Sequence, residues 1–145
     1  MLGETYPIVP SPNKHFFIFY SKGAKGVIKK VVLLQTVGQD RYNLAFGDVQ
    51  GGEVNDAVIS GNNDFVKILS TVAKCVYVFI ESHPGAILEI KPVDARRKAL
   101  YNAVFKRHWQ TIEKKFRIMG VIQNQTTEPY SLNTLYDEFE LHHIS

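Results

Sequence analysis

Phosphate recognition is the chemistry that the residue types of this chain suggest most directly. Residues 96–117 hold eight basic side chains, Arg96, Arg97, Lys98, Lys106, Arg107, Lys114, Lys115 and Arg117, against Glu113 alone. Four more lysines, Lys22, Lys25, Lys29 and Lys30, lie close together earlier in the chain. Lys and Arg neutralise phosphates and release the counterions condensed on a nucleic acid, so clustered cations are an electrostatic footprint for DNA or RNA. The side chains expected to carry such binding are Lys22, Lys25, Lys29, Arg96, Arg97, Arg107, Lys114 and Lys115. Acidic residues gather elsewhere: five in Asp40–Asp64 beside Arg41 alone, and four in Glu128–Ser145 with no Lys or Arg. The net charge of +3 therefore hides a basic side and an acidic side. The same asymmetry would serve an acidic protein partner or self-association.

Other patterns carry less. Ser21-Lys22-Gly23-Ala24-Lys25-Gly26 has the glycines of a phosphate-cradling loop, but Val27 and Ile28 open a strand where that loop needs a helix. It reads as a hairpin turn. Asp48 and Asp64, with Glu53, Asp56, Asn62 and Asn63 nearby, offer oxygen ligands to a hard cation, yet their spacing fits no calcium loop. Asp64 reads as a helix cap, and no metal is expected. His15, His83, His108, His142 and His143 are scattered without zinc-ligand spacing. Cys75 is the sole cysteine and falls in an apolar helical pattern, so a reduced, buried thiol is expected. Arg96, Tyr101 and Glu89, with Asp48, are the residues an enzyme acting on a phosphate ester would draw on. No nucleophile elbow accompanies them. No catalytic residue and no cofactor is assigned.

The elements that must position these residues follow from periodicity. With 145 residues and 45% hydrophobic composition, one domain spanning 1–145 is expected, led by an extended arm over residues 1–14 with Pro7, Pro10 and Pro12. Phe16–Tyr20, Val27–Thr36 and Tyr42–Val49 predict three antiparallel strands joined by turns, and Val54–Ile59 a fourth beyond the break at Gly51-Gly52. Gly61, Asn62, Asn63 and Asp64 are candidate caps for a helix bearing Val66, Leu69, Val72, Ala73, Val76, Phe79 and Ile80, stopped by His83-Pro84-Gly85. Ala86–Ile90 is a strand. Asp94 caps a second helix whose core arc is Tyr101, Phe105, Trp109, Ile112 and Phe116, opposite most of the cations. Phe116–Ile122 and Leu135–Leu141 close the sheet, joined by a polar loop containing Pro129. The order β-β-β-(β)-α-β-α-β-β predicts an α+β fold, a mostly antiparallel sheet with two helices packed on one face. No stretch is apolar enough to span a membrane, and the start lacks a secretory leader, so a cytoplasmic setting is expected.

Four stretches together, Asn43-Leu44-Ala45-Phe46-Gly47-Asp48, Asn62-Asn63-Asp64, Thr71-Val72-Ala73 and Ala95-Arg96-Arg97-Lys98-Ala99-Leu100-Tyr101, resemble a family of small bacterial proteins of about this length. The likeness runs from Phe16 to about Ile144, with the same order of elements. That family is functionally uncharacterised, a domain of unknown function. Its members commonly place a Gly-Ser-Thr-like turn before the Ala-Arg, where this chain has Lys91-Pro92-Val93-Asp94. Asp94 would repel an anion there.

From the residues themselves, the expectation is a small intracellular binding module that uses a basic helix face for nucleic acid, mainly through phosphates. A protein-interaction or homo-oligomeric module is the alternative, and a small phosphate-ester enzyme stands third.

Overall fold

The computed structural model describes residues 3–50, 53–55, 64–123 and 126–144. Its elements are β1 (Val9–Pro10), β2 (Phe16–Gly23), β3 (Gly26–Gly38), β4 (Arg41–Gln50), β5 (Glu53–Asn55), α1 (Phe65–Ser82), β6 (Ile87–Ile90), α2 (Ala95–Ile112), β7 (Phe116–Val121), β8 (Thr127–Pro129) and β9 (Glu138–His143). The strands pair in the order β1-β2-β3-β4-β6-β9-β7-β8, with β5 on β4. This is the expected α+β fold, a mostly antiparallel sheet with two helices, and the order of elements agrees. The chain forms two compact units. Met1–Gln35 with Leu44–His83 make the first, and Thr36–Asn43 with Pro84–Ser145 the second.

In the first unit the β2–β3 hairpin closes through Ala24 and Lys25, between the paired Gly23 and Gly26. Gly26 has φ of 87°, a left-handed conformation that costs a side-chain-bearing residue energy. Lys22 and Gly23, expected in the turn, are instead the last residues of β2. Alternation puts Phe17, Phe19 and Ser21 on the buried face together with their cross-strand partners Val32, Lys30 and Ile28. The buried positions of α1 include Ile68, Val72, Cys75, Val76, Phe79 and Ile80, which keeps the later part of the expected stripe, whereas Leu69 and Ala73 are half-buried and Val66, at its start, is exposed. The arm over the first residues is docked. Tyr6 is buried, stacks on Phe19 and donates its backbone N–H to Thr71 Oγ1 at 2.9 Å.

Asp64 stands at the N-cap of α1 but does not cap it. Its carboxylate accepts from the hydroxyls of Tyr6 and Ser21, which compete successfully for it because both are dehydrated and need a partner. Burial, then the bond to Asp64, pushes the Tyr6 phenol above its usual range. The expected break at Gly51-Gly52, the caps at Gly61, Asn62 and Asn63, and the strand beyond Asn55 lie outside the described residues.

In the second unit β4 runs parallel to β6, Arg41 opposite Ile87, while β6, β9, β7 and β8 pair antiparallel. Asp94 caps α2 as expected, accepting from the Arg97 N–H at 2.8 Å. The helix ends at Ile112. Phe116 is therefore the first residue of β7 rather than the last of the helical arc, and Lys114 and Lys115 lie in the turn beyond the helix. Phe105 carries the buried side of α2, its ring 4.1 Å from that of Phe139, whereas Trp109 is only half-buried. Phe105→Ala should accordingly cost about 3–5 kcal/mol, and Trp109→Ala on the order of 1–2 kcal/mol. Urea unfolding of the two variants checks that ranking.

The last strand begins at Glu138, later than expected, and Leu135 is exposed. Tyr136 lies just ahead of it, fully buried, and buried Asn102 on α2 holds its backbone in both directions. The Tyr136 N–H donates to Asn102 Oδ1 at 2.9 Å, and Asn102 Nδ2 donates to the Tyr136 carbonyl at 2.8 Å. One amide thereby stands in for a missing strand neighbour.

Candidate functional site

The cations divide into two kinds. In the first unit Lys30 is 2% exposed and ion-paired to Asp48, itself 5% exposed. Lys30 thus leaves the surface cluster that its sequence neighbours suggested, because odd and even positions of β3 face opposite sides. Asp48, on β4, leaves the candidate cation cluster because its carboxylate is the counterion of Lys30. Lys22, Lys25 and Lys29 are exposed. Lys29 lies directly across from Tyr20 and Lys22 across from Val27, so all four share the face opposite Phe19 and Ser21.

In the second unit several charges are neutralised. Arg97 is ion-paired to Asp94 and Lys98 to Asp137. Arg41 bridges Glu89 and Glu140 at 2.7 and 2.6 Å, Lys91 adds a contact to Glu89 at 3.1 Å, and His142 lies 2.9 Å from Glu140. Burial alone would raise the Glu89 carboxyl, but hydrogen bonds from Arg41 and Lys91 outweigh it and hold it below the usual range. Glu89 is therefore the counterion of Arg41 and Lys91, and no acid for a cleft with Arg96 and Tyr101. By contrast Arg96, Lys106, Arg107, Lys114, Lys115 and Arg117 are exposed, and none is held in an ion pair among the described residues. Arg96 and Arg107 fall on one side of α2, eleven residues or about three turns apart. Lys114 and Lys115 follow its C-terminal end, where the helix dipole favours positive charge. Arg117 points outward because Phe116 and Ile118 on either side point into the core.

Beside α2 is a groove of about 570 Å³ floored by Ala95, Ala99 and Ala103. Lys98, Asn102, Lys106, Tyr130 and the loop Leu132–Leu135 wall it. Its volume is that of small-molecule pockets. The sequence gives no sign of it, because nothing local shows that a loop distant in the chain lies beside the alanines of α2.

Among the described residues no group of three or more His, Cys, Asp or Glu is arranged to hold a metal ion. The side chains of Glu53, Asp56, Asn62 and Asn63 lie outside them. Cys75 is fully buried, and dehydration pushes its thiol up to about 12, so it stays protonated and unreactive at neutral pH. Among the described residues no helix is long and apolar enough to cross a membrane.

No curated protein and no solved structure matches this chain. A family description does match, over residues 3–144, and the chain belongs to that family, the family of unknown function DUF6934.

Proposed function

We propose that this protein is a nucleic-acid-binding module that holds the phosphate backbone through the exposed cations of α2 and the turn that follows it. One observation carries the reading. Lys30, Arg41, Arg97 and Lys98, buried or half-buried, have carboxylate partners, whereas Lys106, Arg107, Lys114, Lys115 and Arg117 stand exposed with none among the described residues. Clustered, unneutralised charge raises the local potential and attracts polyanions. In this reading the protein works in the bacterial cytoplasm, where a lone buried thiol stays reduced.

Arg107 and Lys114 contribute through charge, so affinity carries little sequence preference. The logarithm of the affinity for duplex DNA falls with the logarithm of salt concentration by about 0.9 per phosphate neutralised. Arg107→Gln with Lys114→Gln makes that slope shallower by about two units and leaves folding intact, since both side chains are exposed. Titrations at three salt concentrations measure it. An unchanged slope, or no binding by the wild type to single or double strands at low salt, overturns the reading. Exposed Leu132 and Leu135 beside the alanine-floored groove favour a second reading, a protein-interaction module, which size measured against concentration would test for self-association.

A further inference from the structure

The free end of the β2–β3 hairpin presents an aromatic ring set among lysines. Tyr20 is 45% exposed, although tyrosines of this chain such as Tyr6 and Tyr136 are buried and hydrogen-bonded. Its ring has no aromatic or cation partner among the described residues. Lys29 is its direct cross-strand neighbour, and Lys22 stands two residues along on the same face. Directly opposite side chains lie about 5 Å apart at Cβ, and neighbours two along a strand about 7 Å. Both lysines therefore leave the sheet beside Tyr20 on the same face, and neither is ion-paired among the described residues. Exposed Val27, opposite Lys22, extends the apolar surface beside them. Neighbouring β1 pairs only with Phe17 and Ile18, and beyond it the Tyr6 hydroxyl bonds the N–H and the carbonyl of Lys22, each at 3.2 Å, so that this end of β2 is held while its outward face stays open.

We infer that Tyr20, Lys22 and Lys29 form a stacking site for an unpaired base of single-stranded nucleic acid. The inference rests on the nucleic-acid reading above and adds strand selectivity to it. A duplex hides the faces of its bases, so a ring on an open strand face gains nothing from it. A single strand offers a free base face for Tyr20 with a phosphate on either side for Lys22 and Lys29. The surface chemistry fits that occupant better than an acidic peptide, which would satisfy the lysines and leave the ring in water.

Fluorescence anisotropy of a labelled twelve-nucleotide oligo-dT and of a duplex of the same length, on the full chain, tests it. Tyr20→Ala should weaken oligo-dT binding by roughly 5- to 150-fold, the range a single stacked base confers, and leave duplex binding unchanged. Tyr20→Phe should bind oligo-dT as wild type does, because stacking needs the ring and not the hydroxyl. Thermal unfolding confirms that the exposed substitutions leave the fold intact. Wild-type binding to both probes, with oligo-dT affinity unmoved by Tyr20→Ala or duplex affinity lowered equally, overturns the stacking site and spares the phosphate-binding reading. Failure of the wild type to bind either probe overturns both. Displacement of oligo-dT by polyglutamate at matched charge, unaffected by Tyr20→Ala, assigns the patch to an acidic protein instead.

Discussion

Lys30→Met should destabilise the protein by about 3–5 kcal/mol, the cost of leaving a buried charge without its partner. Lys30 and Asp48 are both buried, and each meets the other's charge in place of water. Removing the ammonium leaves the Asp48 carboxylate dehydrated, and removing the carboxylate does the same to Lys30, so Asp48→Leu should be equally costly. The double variant, Lys30→Met with Asp48→Leu, should recover most of the loss, because a packed apolar pair carries no dehydration penalty. Urea unfolding of the three variants decides it. A control lies one residue away: Lys29→Met, on the exposed face, should stay within about 0.5 kcal/mol of wild type. If Lys30→Met unfolds like that control, the pair is hydrated in solution and the placement of β3 is wrong.

Gly120→Ala should cost on the order of 3 kcal/mol. Alanine in place of a strand glycine ordinarily helps, since it removes freedom from the unfolded chain. Here a methyl group would collide with the Tyr136 ring, which packs flat on the Gly120 backbone. That ring has nowhere to go. Its hydroxyl donates to Glu128 at 2.9 Å and accepts from the Ser131 N–H at 3.0 Å, its backbone is gripped by Asn102, and Tyr130 and Phe139 border it. Chemical denaturation gives the cost, and near-ultraviolet circular dichroism reports whether the tyrosine has moved. A neutral or stabilising result would show that Tyr136 has room to turn aside.

Much of the fold was readable from the sequence because its elements are strongly patterned. The α1 stripe and the Asp94 cap are local features, fixed by side chains three or four residues apart. What was not readable depended on partners distant in the chain. Trp109 fits the helical arc of α2 as well as Phe105 does, yet only Phe105 meets Phe139. Asp64 looked like a cap because nothing near it in sequence reveals that Tyr6 and Ser21 need an acceptor. Lys29 and Lys30 read alike, and only strand register separates a surface cation from a core ion pair. For the candidate site, charge clustering exposed the lysines and arginines but gave no sign that Tyr20 would be turned outward among them.

The two ends of the strand order share a device with a consequence for solubility. An edge strand carries unpaired N–H and C=O groups onto which another chain can add, the usual opening step of strand-mediated aggregation. At one end β1 has two residues and includes Pro10, and at the other β8 has three and includes Pro129. A proline offers no N–H to an incoming strand, and edges so short give such a strand little to align on. Both ends thereby discourage fibrous growth at high concentration. At these two terminal strands backbone pairing is a poor route for a partner, which leaves recognition there to side chains.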